Sequence, residues 1–407
     1  MGTLIKFELR KIAGNRAGMV ACAFALLLLA LLSVGNLATM ATRDIVTGQV
    51  VEGFAAQATY REALESHAGM LDDGRVAQDA AAFDRANSLV EEAGGLADRS
   101  NQEIIDAYGA EFWSETRGVL EQGYYTEIVG TLESATPPAT SLEEGAKARV
   151  GGVLDLGFDG YFPYSGAERA YWTEKFDAIT WPVEYGYAEG WHNVLNWMSF
   201  AGLIIVAACI ALSGTFAGEY QDRTAAVALP TRRGKRALPV AKAVASIVFV
   251  TVYWWVCALV VIGINVGVCG ADGWELPLQV AAGFDNPYPL TIGQAVLALY
   301  GLGYLIALGM AAFTLLLSSK MRSTMPVAVI PMAVVFLGMF GMFITPLTKI
   351  AVLTPMAGLE YAFNRMLSYA AGPLVTDLPT VLAVLYGIIF VVFTPFAMRA
   401  FRRHQVA

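Results

Sequence analysis

Six stretches of this chain are apolar for long enough to cross a bilayer as helices, which takes about 20 residues each. They are Ala17–Met40, Asn193–Ala217, Val240–Val268, Ile292–Ser318, Met325–Thr345 and Pro379–Ala397. Between the first two lies a polar region, residues 41–192, large enough to form a domain. Within it, Ala55–Met70, Val76–Glu92 and Asn101–Gly123 repeat apolar positions at helical spacing. Pro137 and Pro138 then break the chain, and Ser141 ahead of Glu143 and Glu144 opens a new helix. The expected fold is an all-α integral membrane protein of six transmembrane helices, with a mainly helical domain inserted between spans one and two.

Residues 1–16 precede the first span as a short amphipathic helix. Ile5, Leu9 and Ile12 share one face, Lys6, Arg10 and Lys11 lie mostly opposite, and Phe7 spoils the pattern. Such a helix suits the membrane–water interface, with its basic residues on lipid phosphates. The run Ala17–Met40 exceeds the about 7–15 residues of a signal-peptide core, so we read it as an uncleaved anchor. The connector 346–378 is largely apolar but is interrupted by Pro355, Gly358 and Pro373. Re-entrant helices in the outer leaflet are expected there, covered by protein; a plain outer loop is the alternative.

Charge orders these segments across the membrane. The four connecting or terminal segments on one side carry 4, 6, 2 and 3 basic residues, the last two groups including Lys320, Arg322, Arg399, Arg402 and Arg403. The connectors opposite, after spans three and five, carry only Lys349 and Arg365 among five acids. Because Lys and Arg near span ends resist translocation, both termini are expected in the cytoplasm and residues 41–192 outside. The formal net charge of −8 conceals this asymmetry, since residues 41–192 hold 27 acidic and 10 basic residues. With 407 residues, 56% of them hydrophobic and 15% charged, the chain reads as a multi-pass membrane protein, not a nucleic-acid binder.

Catalytic chemistry is sparse. The four cysteines stand singly, without metal or CxxC spacing, and the histidines His67, His192 and His404 are isolated. Gly234 and Lys235 lack the glycine spacing and the Ser/Thr of a phosphate-binding loop, so no ATP hydrolysis is expected of this chain alone. The spans are nearly free of charge, their notable polar side chains being Asn36, Asn196, Asn265 and Gln294. That argues against ion-coupled carriers and intramembrane enzymes, which need ionisable groups at depth. Aromatic residues crowd Phe158 to Trp197, either as a belt and small core at the lipid surface or as a lip for an amphipathic substrate.

The most structured feature is the stretch Ser213–Lys242 between spans two and three. It carries Arg223, Arg232, Arg233, Lys235, Arg236 and Lys242 against Glu219 and Asp222. An acidic turn, a short apolar helix (Thr224–Leu229), a breaking Pro230 and a basic cluster follow in order. A passive connector needs none of this. Here the chain resembles the type-2 ATP-binding-cassette (ABC) transporter permeases, in Glu219, Thr224, Leu229, Pro230, Arg232 or Arg233, and Lys242; it departs at Arg223, where that family usually has Gly. The resemblance implies that the loop, residues 218–239, is a coupling helix that docks into a separate ATPase, with Glu219, Arg223, Thr224, Leu229, Pro230, Arg232 and Arg233 in transmission. It also implies that residues 1–16 form an elbow helix.

Small residues pattern span four (Gly301, Gly303, Ala307, Gly309) and span five (Gly338, Gly341), as close helix packing requires. The resemblance offers a further reading, that spans two and five meet across a dimer interface. Asn196, Met198, Ser199, Met332, Phe336, Met339 and Phe343 would then line a translocation path. On this basis the chain is expected to be a non-catalytic permease subunit of an exporter of an amphipathic substrate such as a peptide antibiotic, lipid or drug. It would bind no cofactor itself, with ATP and Mg in a cytoplasmic ABC ATPase partner. A second permease subunit, identical or not, and membrane lipid would complete the partners. The alternative is a membrane-anchored sensor or scaffold whose acidic external domain binds a ligand.

Overall fold

The computed structural model describes residues 1–44, 47–96, 98–224 and 232–403, with backbone alone for residues 232–235. A helix pairs its own backbone groups, which is what an apolar environment demands of a spanning element. Among the described residues, six helices are long and apolar enough to cross a membrane: Arg16–Ala38, Glu189–Gln221, Arg236–Cys269, Ile292–Lys320, Thr324–Gly341 and Leu378–Arg403. All six expected spans are thus helical, with ends shifted by a few residues. The second is extended at both ends, and the fifth stops four residues early. Gln294, one of the few polar groups expected near a span end, closes a capping box with Thr291 at the start of the fourth helix.

The second long helix is segmented. Helical turns over Glu189–Asn196 tighten into a 3-10 stretch, Trp197–Phe200, before Ala201–Leu212 and Gly214–Gln221 continue. At the break by Ser213, the backbone N–H groups of Phe216 and Ala217 donate to Ser318 Oγ, each at 2.9 Å. Ser318 Oγ in turn donates to the Ser213 carbonyl at 2.8 Å. One hydroxyl from the fourth helix therefore satisfies the groups that the break would leave bare, which in a dry setting would each be costly.

Small residues bring the bundle together inside one chain. A Cβ on Gly303 would meet Trp254 and Met198 at 2.6 to 2.8 Å, and one on Gly309 would meet Tyr386 at 2.9 Å. Gly341 lies equally close to Ala351 in the short helix Thr348–Ala351. These glycines are accounted for by packing between helices of the same chain.

The polar region is helical as expected, but more finely divided. Asn101–Gly123 is three short helices, Asn101–Tyr108, Ala110–Glu115 and Arg117–Leu120, because Gly109 takes a φ of +93° that a helix cannot continue. Ser141 caps Leu142–Leu156 by accepting from Glu144 N. The all-α expectation needs amending, since three two-stranded antiparallel pairs occur among the described residues. The longest, Ser368–Ala371 with Leu374–Asp377, occupies the last part of the broken apolar connector; Gly372 at φ +65° and Pro373 form its two-residue turn. Two short helices, Thr348–Ala351 and Pro355–Tyr361, precede it. Of the twelve aromatic residues from Phe158 to Trp197, five (Phe158, Tyr164, Trp172, Phe176 and Tyr187) are buried, six are half-buried and Tyr161 is exposed.

Leucine at Gly309 should overpack the contact with Tyr386 at a cost of about 1–3 kcal/mol. Leucine at Gly301, where a Cβ meets nothing within 4 Å, should be tolerated. Thermal unfolding of the two detergent-solubilised variants, followed by size exclusion, reads the difference.

Candidate functional site: a buried ion quartet beside the basic loop

The N-terminal helix, Gly2–Ala13, packs Ile5, Leu9 and Ile12 on the body of the protein, as their spacing predicts, and leaves Phe7 exposed. The same inward face carries Glu8, a buried carboxylate in the middle of an apolar stripe. Its partner is Lys242, on the third long helix, whose Nζ donates to Glu8 Oε2 at 2.7 Å and to Glu219 Oε1 at 2.9 Å. Lys11 closes the group by donating to Glu219 Oε1 at 2.5 Å. Thr224 Oγ1 donates to the other Glu219 oxygen. The Lys242 side chain is fully buried, those of Glu8 and Glu219 are 4% and 7% exposed, and Lys11 stays 43% exposed. Two cations and two anions thus neutralise one another in a largely dry junction of three helices.

Desolvating four charges is tolerable only when each is paired and hydrogen-bonded, and here each is. Glu219 is the hub, taking three donors from the N-terminal helix, the loop and the third helix. This differs from the sequence-based expectation for Lys11, which is an intramolecular ion-pair partner and not only a lipid-phosphate contact; Lys6 and Arg10 remain exposed. Glu8 and Ser318 were not anticipated. A signal for Glu8 did exist: a carboxylate at an apolar-face position of the N-terminal helix.

Arg223 follows the helix Gly214–Gln221 with a φ of +57°, its N–H donating to the Tyr220 carbonyl at 3.2 Å. That left-handed conformation is the one in which helices commonly end on glycine. Arg223 therefore adopts a glycine-type turn although it is not a glycine. Leu229 and Pro230 lie outside the described residues, as do the side chains of Arg232 and Arg233, although the third helix begins at Arg232.

The seven residues expected along a path are spread over different surroundings. Met198 is buried in the core against Gly303, on the 3-10 stretch that also carries Ser199. Asn196 is exposed, and Met332 and Phe336 are half-buried against the core. Met339 and Phe343 point outward, Phe343 at 86% exposure. The second and fifth helices do touch, at Gly202 beside Val335.

At the other end of the bundle, the polar region grips the connectors. Lys175 pairs with Asp377 at 2.5 Å and sits 4.1 Å from the ring centre of Tyr288. Glu168 accepts from Ser368 Oγ at 3.0 Å and pairs with Lys349 at 3.7 Å, and Trp172 Nε1 donates to Ser368 Oγ at 3.1 Å. Burial pushes the Asp377 carboxyl up, but hydrogen bonds from Lys175 and Thr380 outweigh it and hold the group below its ordinary value. Glu168 is likewise held low against burial, by Ser165, Ser368 and Lys349.

No protein-family model matches the chain, no characterised protein matches it, and no solved structure matches its fold.

Lys242→Met should destabilise the protein by about 3–5 kcal/mol, because it leaves two buried carboxylates with Lys11 alone. Adding Glu8→Gln should recover a large part of that loss in thermal unfolding, which a purely steric effect at Lys242 would not allow. A second expectation concerns pH. Carboxyls held below their ordinary values of 3.8 for Asp377 and 4.5 for Glu168 stabilise the folded state above those values and stop doing so as pH falls through the lowered ones. Hydrogen exchange in residues 164–177 and 366–378 should hence be pH-insensitive near neutrality, after correction for intrinsic rates, and rise below about pH 4. Asp377→Asn should produce the faster exchange already at pH 7.

Proposed function

We propose that this chain is the permease subunit of an ATP-driven ABC exporter, energised by a separate cytoplasmic ATPase that binds ATP and Mg. The observation that carries the reading is the ion quartet. The basic loop leaves the second helix after Gln221, two residues beyond Glu219, and the third helix begins at Arg232, ten residues before Lys242, so the two stems that flank the loop are bound to one another and to the N-terminal helix. Burying three charges against a half-exposed fourth gives little net stability compared with an apolar joint of the same shape. What it provides is a rigid coupling of fixed register, so a force on the loop acts on three helices at once. A connector with no mechanical task has no use for that.

On this reading the loop is cytoplasmic, in keeping with its basic residues, and both termini share that side. The polar region faces the exterior and rides on the connectors of the last four spans. Glu219, Arg223, Thr224, Leu229, Pro230, Arg232 and Arg233 meet or transmit the ATPase stroke. Two permease subunits pair in the membrane, for which the outward Met339 and Phe343 offer apolar contact. The cargo is amphipathic and moves outward.

The test is a detergent pull-down of the tagged chain from its native host. It is run beside a variant with Arg232, Arg233, Lys235 and Arg236 replaced by Glu. An ATPase with a phosphate-binding loop should copurify with the native chain and be lost from the variant. Absence of any ATPase from both would remove the energy source and leave the membrane-anchored sensor.

A further inference from the structure

A large aromatic-lined concavity lies apart from the quartet and the clasp. A cleft of about 600 Å³ opens where the chain leaving the first long helix, the helix Phe54–Glu65, the segment 113–127 and the connector after the third long helix converge. Sites for small organic ligands span about 300–1,000 Å³. Its apolar surface is aromatic, from Tyr60, Trp113, Tyr124, Tyr185 and Phe284. Tyr124 and Tyr185 pack ring against ring at 4.9 Å, and Tyr124 is stacked from behind by His67 at 4.1 Å, so this wall is pre-formed. The indole N–H of Trp113 is buried with no acceptor among the described residues.

Both signs of charge line the same cleft, through Arg43, Arg117, Glu121 and Glu127. Arg117 is pinned by Asn101 Oδ1 at 2.9 Å and the Leu96 carbonyl and also lies 3.5 Å from Glu121, and Glu127 is held by Arg149 at 2.7 Å. The Arg43–Glu121 pair is different. Its 3.2 Å contact lies in the open, with the two side chains 43% and 39% exposed. An exposed pair of that kind is weak, and it can be exchanged for the two charges of a ligand without a large loss.

We infer that this cleft binds a short zwitterionic peptide with an aromatic or large apolar side chain. The peptide carboxylate takes Arg43, which offers planar paired donors. The ammonium takes Glu121, and the side chain enters among the tyrosines and Phe284, where rings stack offset or edge-on. An anionic lipid would meet Glu121 and Glu127, and an organic cation would meet Arg43 and Arg117. A molecule with both charges meets neither penalty. The inference does not depend on the ATPase reading, since the cleft is complete within this chain.

Isothermal titration of the full chain in nanodiscs with the tripeptides Ala-Phe-Ala and Ala-Trp-Ala tests it, with empty nanodiscs as blank. Saturable binding with a Kd of about 10–100 μM is expected. Acetylating the amine and amidating the carboxylate should weaken it roughly tenfold or more, by removing two charged hydrogen bonds. Ala63→Trp, which fills the cleft from its helix wall, should abolish binding at an unchanged thermal midpoint. Should that variant misfold, the surface pair Arg43→Gln with Glu121→Gln provides the same test, again with a roughly tenfold loss expected. Heat no greater than the blank from both peptides would overturn the inference. So would binding that survives in whichever of these variants folds.

Discussion

A lysine ammonium cannot be left alone in a dry helix bundle, and Lys242 has no exposed surface at all. That constraint organises one whole end of this molecule. It draws a carboxylate from the N-terminal helix and another from the end of the second long helix, and the second carboxylate draws Lys11 and Thr224. The N-terminal helix is therefore more than an apolar stripe resting on a surface. Its position along its own axis is set by where Glu8 must lie, since apolar contacts of Ile5, Leu9 and Ile12 alone would allow it to slide.

The two ends of the bundle solve different problems by related means. At the quartet, three charges are sealed among helices and a fourth, the half-exposed Lys11, completes the match in number. At the clasp, Lys175 and Lys349 reach from or toward connectors to single carboxylates, with aromatic rings and hydroxyls completing the shell. The first arrangement holds stems that flank a short loop. The second joins a long insertion to connectors that are distant in sequence, so that residues 164–177 and 366–377 act as one piece.

Much of this architecture could be read from the chain alone, because a helix that must hide its backbone in lipid announces itself by length and hydropathy. Caps were equally readable: Ser141 and the Thr291–Gln294 pair obey local rules that tertiary contacts do not override. The hairpin Ser368–Asp377 was not, since Pro373 within an apolar run looks like a breaker until its turn partner Gly372 is seen to adopt positive φ. The break in the second helix was also hidden. Nothing in Leu212, Ser213 and Gly214 says that a hydroxyl about one hundred residues onward will replace the missing bonds. Of the candidate site, Glu219 and Lys242 stood out by their place in the loop, whereas Glu8 needed the geometry of three helices. Long-range ion pairing leaves no periodic trace; it can be suspected only where a charge sits on the wrong face.

The Ser318 joint changes which helix the loop belongs to. By its hydrogen bonds, the segment Gly214–Gln221 is fastened to the last turn of the fourth helix as firmly as to the rest of the second. The break at Ser213 therefore works as a transfer point. A displacement of the loop would pass sideways into a helix of 29 residues, Ile292–Lys320, whose far end begins four residues after Tyr288 in the clasp. The basic loop thus reaches toward the clasp along a helix that it does not directly adjoin in sequence, joined to it through the hydroxyls of Ser318 and Tyr220.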